Sequence, residues 1–299
     1  MALSKLSGDE AGIVFVQLCN VLEPRLAVYL SSTSNELRTA TQALLQQLRA
    51  DHEAATALCR KMGLRSCKEL REAKEVNWYK KGLSAADLGL LGTLGLLLPA
   101  LETLILDEPT AGPDGVQRLA VGLGAGALPA VTELQLMNMH VGDAGASALA
   151  AALGRGALPR LRSLLLDNVN ISDAGLVALA PVLRRLHTLE ILRLEHNPFG
   201  DKGLAALVAP PPPAGALPRL TGGLTKLKVL ELSNTQVSDA GCATLLAALD
   251  NGALPGFKEL HSVILLGGTP ASAAAQAAVQ EVVRISSAAA RLRALLLLA

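Results

Sequence analysis

Catalysis needs nucleophiles, bases or metal ligands brought together, and this chain holds few residues of those types. Its five histidines, His52, His140, His187, His196 and His261, are scattered, and none stands at metal-ligand spacing beside a cysteine. The four cysteines, Cys19, Cys59, Cys67 and Cys242, form no CxxC pair and read as buried thiols of a reducing compartment. The strings HExxH, GxSxG and GxxxxGK[ST] do not occur. VGLGAGAL, at 121–128, has alternating glycines but follows a helix instead of joining a strand to one, which makes it a helix cap and not a phosphate cradle. His196 sits next to Glu195, where a surface pair is the simpler reading. No catalytic residue, metal ligand or cofactor site is assigned, so the expectation is a protein that works by binding.

Composition says what such a protein would be built from. Of 299 residues 51% are hydrophobic, yet only three Phe, two Tyr and one Trp are aromatic. Ala, Leu and Val must then fill the interior, which favours many small, similar layers over one large core. Lys and Arg number 27 against 26 Asp and Glu, a balance that argues against a general grip on nucleic acid or anionic lipid. The basic cluster from Arg60 to Lys81 is diluted by Glu69, Glu72 and Glu75 and reads as a solvated connection. Mean hydropathy is +0.38, but the uncharged stretch 262–280 contains Gly267, Gly268 and Pro270, so no membrane span is expected. Asp9 and Glu10 interrupt any secretory apolar run, giving a cytoplasmic or nuclear expectation.

A repeat supplies the layers. LxxLxL strings, each followed by a turn, an aliphatic residue, Asp-x-Gly and an Ala/Leu run, start at Leu101, Val131, Leu161, Leu189, Leu227 and Leu260, with a weaker copy near Ala73. In the clearest unit, Leu164 and Leu166 alternate as on a strand, Ile171 follows the turn, and Ser172 or Asp173 can cap a helix carrying Leu179 and Leu183 on one face. Gly-Ala-Leu-Pro then recurs at 126–129, 156–159, 215–218 and 252–255 as a helix stop. One such unit cannot close a core, so neighbours must stack, strands in one parallel sheet and helices on the other side.

These units resemble the leucine-rich repeats of the ribonuclease-inhibitor type over about residues 73–270. The resemblance implies an α/β solenoid with parallel strands on the concave face and helices on the convex face. The turn Asn of that family stands here only as Asn197, replaced elsewhere by Pro109, Met139, Val169, Thr235 and Gly268. A Pro-rich insertion at 209–223 lengthens one unit. The segment 1–62 reads as a small all-α domain broken at Pro24, and 271–299 as a C-terminal capping helix in which Val279, Val282 and Val283 seal the last repeat. Leu6, Ile13 to Phe15, Leu18, the Pro24-Arg25 step, Leu26 and Leu30 resemble an F-box. That resemblance implies docking on a ubiquitin-ligase adaptor through Phe15, Leu18 and Pro24; a plain helical cap on the repeat core is the alternative.

The concave face is the expected binding surface. Alternation aims Tyr79, Met137 and Ile191 there as apolar anchors, Asp107, Asp167, Glu195 and Glu231 as charge selectors, and Gln135 and Arg193 among them. In the last unit the same count points Ser262, Ile264 and Leu266 inward to that face. The expected function is a non-enzymatic module binding a protein with exposed basic residues, as a ubiquitin-ligase substrate receptor if the F-box resemblance holds. A GTPase activator of the Ran type, whose repeats are similar, and a structural cytoskeletal or ciliary scaffold are the competing readings.

Overall fold

The computed structural model of the chain describes residues 10, 13–15, 20–33, 35–209, 224–258 and 262–296. Leu6, Leu18, Leu260, the Pro-rich insertion from 210 and the side chains of Leu295 to Leu298 lie outside the described residues. After helical residues at 10 and 13–15, the described residues continue with α1 (Arg25–Ser32), α2 (Asn35–Lys61) and α3 (Cys67–Glu72). Strands and helices then alternate as β1 (Glu75–Tyr79), α4 (Ala85–Leu94), β2 (Thr103–Asp107), α5 (Gly115–Gly122), β3 (Glu133–Leu136), α6 (Gly142–Gly154), β4 (Ser163–Leu165) and α7 (Asp173–Leu183). The order continues as β5 (Ile191–Arg193), α8 (Asp201–Leu207), β6 (Val229–Glu231), α9 (Asp239–Asp250), β7 (Val263–Leu265) and α10 (Ala273–Leu296).

All seven strands form one parallel sheet in chain order. The register places Leu104, Leu134, Leu164, Leu192, Leu230 and Ile264 side by side, and each is 2% exposed or less. A second column, Leu106, Leu136, Leu166, Leu194, Leu232 and Leu266, is fully buried. Burial of each such side chain is worth about 1.5–3 kcal/mol, and no single repeat could bury its own without a neighbour on either side.

The last repeat corrects the sequence reading. Val229 lies opposite Val263 and Leu230 opposite Ile264, so the final step is 34 residues and the unit begins one position later than Leu260. Strand side chains alternate with period two, and a shift of one exchanges the faces. Ser262, Ile264 and Leu266 are therefore buried, while Val263 and Leu265 are each 40% exposed. The same shift puts Thr269, not Gly268, at the turn position: Thr269 Oγ1 donates to Leu266 O at 2.8 Å as Thr235 Oγ1 donates to Leu232 O at 2.7 Å.

Polar groups join one repeat to the next. Asn197, 2% exposed, donates from Nδ2 to Leu166 O (2.7 Å) and Leu194 O (3.0 Å), and its Oδ1 accepts from Ile171 N (2.9 Å). At the first turn the buried carboxylate of Glu108 takes this part, accepting from the backbone N–H groups of Lys81, Gly82 (3.0 Å) and Leu83 (3.3 Å). Further round, Asp143 Oδ1 accepts from Ser172 N (2.9 Å) and Gly175 N (3.0 Å), and Asp143 Oδ2 from Ser172 Oγ (2.6 Å). Asp173 accepts from Gly200 N and Gly203 N, both at 2.8 Å. Asp201 holds Ser238 through its N (2.8 Å) and Oγ (2.6 Å). Ser172 and Ser238 cap α7 and α9, each accepting from the backbone N–H two residues on. Each Asp satisfies the helix start of the following repeat, where those N–H groups have no partner within their own helix.

The ends are closed by different means. Leu22, Leu58, Met62 and Leu70 of the leading segment pack into the same core as Val76 and Trp78 of β1. Phe15, Ala27 and Leu48 form a small cluster of their own. At the other end Val279 (0% exposed) and Val283 (4%) of α10 join the repeat core, with Val282 partly buried against it. On the convex side α4 and α5 approach very closely: a Cβ on Gly92 would meet Leu119 O at 2.3 Å, and one on Gly122 would meet Gly89 O at 2.9 Å. The glycine run read from sequence as a cap thus begins, at Gly122, with a helix contact.

Candidate partner-binding face

Between the two buried columns, the alternate strand residues point to the concave side. One row follows the register through Asn77, Ile105, Gln135, Leu165, Arg193 and Glu231. A parallel row begins with Tyr79 opposite Asp107 and runs on through Met137, Asp167, Glu195 and Ser233. Ile191 lies in a third row, between Ser163 and Val229, so all nine expected residues share one face, but with unequal access to a partner.

Tyr79 is the most open, at 56% exposure, with Lys80 Nζ lying 4.8 Å from its ring centroid. Gln135, Met137, Ile191, Arg193 and Glu195 are half-buried. Gln135 Nε2 donates to Glu133 Oε1, which orients the amide along the sheet. Three carboxylates expected as charge selectors are buried: Asp107 at 1%, Asp167 at 6% and Glu231 at 7% exposure. Strands about 4.8 Å apart close over a short side chain from both sides, and local partners occupy these groups. Asp107 Oδ2 accepts from Asn138 Nδ2 at 2.7 Å, and Glu231 Oε1 accepts from Ser233 N at 3.1 Å. Arg193 is shared, with Nη2 donating to Glu195 Oε1 at 2.7 Å and Nε lying 3.2 Å from Asp167 Oδ2. Burial pushes the Asp167 carboxyl up to about 6, with the nearby Glu195 and Glu231 charges adding to the effect and Arg193 opposing it. Asp107, Asp167 and Glu231 thus offer a basic partner little accessible charge: Asp167 is paired with Arg193, Glu231 accepts from a backbone N–H, and Asp107 Oδ1 is buried with no hydrogen-bond partner among the described residues.

Sequence reasoning missed the rim. Asn138, Asn168, His196 and Asn234, each just past a strand, adopt left-handed backbone with φ of 52°, 54°, 56° and 57°. Their side chains link along the edge, Asn168 Nδ2 to Asn138 Oδ1 at 3.0 Å and Asn234 Nδ2 to His196 Nε2 at 3.2 Å. Together with Met137, Asp167, Arg193 and Glu195, the rim residues Asn138, Asn168 and His196 line a shallow pocket of about 470 Å³. The signal was there: Asn recurs one place after the outward Met137, Asp167 and Ser233, and Asn tolerates positive φ better than most residues.

Of the residues expected to meet an adaptor, Phe15 is 1% exposed and packs against Ala27 and Leu48, which corrects its reading as a docking contact. Leu18 lies outside the described residues. Pro24 is partly exposed beside a cavity between α1, α2 and α3. No described helix is long and apolar enough to cross a membrane.

Comparison with known proteins bears on the repeats. No curated protein matches the chain. Among solved structures, internalin C2 of Listeria monocytogenes is similar over 76% of this chain and 88% of that one, at 17% identity and a TM-score of 0.38. The family model described as Leucine Rich repeat matches residues 185–208 and 223–246. Those two stretches carry β5 with α8 and β6 with the first part of α9, and the same strand, turn and helix recur along the sheet, so the fold is that of a leucine-rich-repeat protein.

Proposed function

We propose that the chain is a protein-interaction module without chemistry of its own, binding a protein partner across the concave face. The observation that carries this reading is the line of accessible side chains on that rigid sheet, from exposed Tyr79 through half-buried Met137 and Ile191 to exposed Leu265. Apolar and aromatic groups flanked by oriented polar ones are what a partner's hot spots need. With Asp107, Asp167 and Glu231 buried, apolar fit and hydrogen bonding with Gln135, Asn138 and Asn168 carry the selection, and the more accessible acids of the face are Glu75, Glu133 and the Arg193-paired Glu195. The test compares native capture by the wild type, by Tyr79→Ala with Ile191→Arg, and by Val121→Arg on the convex side, where Val121 is 72% exposed. Partners lost only with the concave variants, at unchanged melting temperature, support the reading; loss through Val121→Arg alone sinks it.

A second reading, a ubiquitin-ligase substrate receptor, is favoured by one observation. Leu26, Val28 and Tyr29 of α1, next to Pro24, are 50%, 38% and 68% exposed, an apolar surface of the kind adaptors cover. Leu26→Glu with Tyr29→Glu would then abolish capture of adaptor and cullin subunits while sparing concave-face partners. In the absence of any adaptor from the wild-type capture, the leading helices reduce to a cap on the repeat core.

A further inference from the structure

Cys59, in the last turn of α2, and Cys67, the first residue of α3, meet across the turn that joins the two helices. Their sulfurs are 3.9 Å apart, with Cys59 donating to Cys67, and the Thr56 hydroxyl lies 3.5 Å from the Cys67 sulfur. Cys67 also forms part of the wall of a cavity of about 570 Å³ between α1, α2 and α3. Arg25, Arg65, Lys68 and Arg71 line this cavity, against Glu23 and Glu72. The acids are taken, Glu23 by Arg71 at 2.9 Å and Glu72 by Lys68 at 3.7 Å, whereas Arg25 and Arg65 make no ion pair among the described residues. A cationic cavity with a thiol in its wall and a second thiol behind it has no part in binding at the concave face.

We propose that this cavity is a thiol-oxidation site, which admits a small disulfide carrying carboxylate groups and closes a Cys59–Cys67 disulfide. The deprotonated Cys67 sulfur attacks one sulfur of the incoming disulfide; a new S–S bond forms, the old one breaks, and a thiolate leaves. Cys59 then attacks the Cys67 sulfur, forming the internal disulfide and expelling the second thiolate. The two protons given up by the protein thiols end on the two departing thiols, so the protein is oxidised by two electrons and the small disulfide reduced by two. The order of attack follows from access. Cys67, 5% exposed, lines the cavity, whereas Cys59, 1% exposed, does not, and burial, then the neighbouring Cys67, pushes the Cys59 thiol up to about 12. Closing a contact of 3.9 Å to a bond of about 2 Å needs a shift of about 2 Å, within reach of a helix end and the turn after it. In a reducing compartment such a bond is transient, which suits a redox-responsive joint between the leading helices and the repeats.

The test treats the native full chain with oxidised glutathione and follows intact mass and a peptide map. The expected product has lost two hydrogen atoms and links Cys59 to Cys67. Cys59→Ser should stop at a mixed disulfide on Cys67, and Cys67→Ser should leave Cys59 unmodified. Arg25→Glu with Arg65→Glu, both on the surface, should slow the reaction roughly tenfold while leaving oxidation by the uncharged hydroxyethyl disulfide unchanged. Linkage only after denaturation, a first adduct on Cys59 or Cys242, or equal rates for the charge-reversed variant would each overturn the proposal.

Discussion

Asp167 carries a carboxyl held near 6, above its ordinary value of about 4, because burial outweighs the Arg193 guanidinium beside it. A folded-state value above the unfolded one means the native chain binds the extra proton. Below about pH 4 both states are protonated and Asp167 costs nothing; as pH rises to about 6 its ionisation penalises the fold, and the penalty is complete above that. Asp167→Asn removes this dependence. The melting temperature of the variant relative to wild type should therefore rise between about pH 4.5 and pH 7.5, by the equivalent of on the order of 2 kcal/mol, and a flat difference would refute the account. Asn197 presents the opposite case, a buried side chain with its polar atoms matched. Asn197→Ala leaves Ile171 N and the Leu166 and Leu194 carbonyls without this partner and should cost about 2–4 kcal/mol in denaturant unfolding. The sequence singled out Asn197 through its family resemblance, yet it showed Asp107, Asp167 and Glu231 as free charges. Alternation tells which way a side chain points; only the neighbouring strands determine how much of it they cover.

Helices and strands were legible where period and tandem repetition agreed. Leu164 and Leu166 recur in every full unit, so chance periodicity was excluded and the core columns could be written down. The last strand was displaced by one position because its unit lacks the Asp-x-Gly that fixes the frame in the four units before it. Aspartates were misplaced for another reason: Asp173 read locally is a cap for its own helix, whereas its carboxylate serves Gly200 and Gly203 of the following repeat. The glycine of each Asp-x-Gly is then a matter of approach, since a Cβ on Gly203 would meet Asp173 Oδ1 at 2.8 Å. Gly203→Ala and Asp173→Ala should each destabilise by about 1–3 kcal/mol. The double variant should lose clearly less than the two together, because the clash disappears with the carboxylate; strict additivity would dissociate the two residues.

At the scale of the molecule, the sheet is one continuous stack whose interior is sealed at one end by Leu22, Leu58 and Met62 and at the other by Val279 and Val283. Stability in such a stack is a sum of nearest-neighbour terms, so damage at an end stays near that end. Val283→Asp should raise amide exchange first in β7 and α9 and leave β1 to β3 protected; uniform loss of protection would mean a globally cooperative unit. The aspartate contacts add a direction to this stack. Asp143 reaches Ser172, Asp173 reaches Gly200, Asp201 reaches Ser238 and Asp239 reaches Ser272, always toward the C-terminus. The array therefore has a grammar of growth. A tandem duplication keeps every junction intact when it copies the segment from one aspartate to the residue before the next. Splicing in a unit that lacks the aspartate leaves the following helix start without its acceptor from the preceding repeat, and this holds however well its leucines pack.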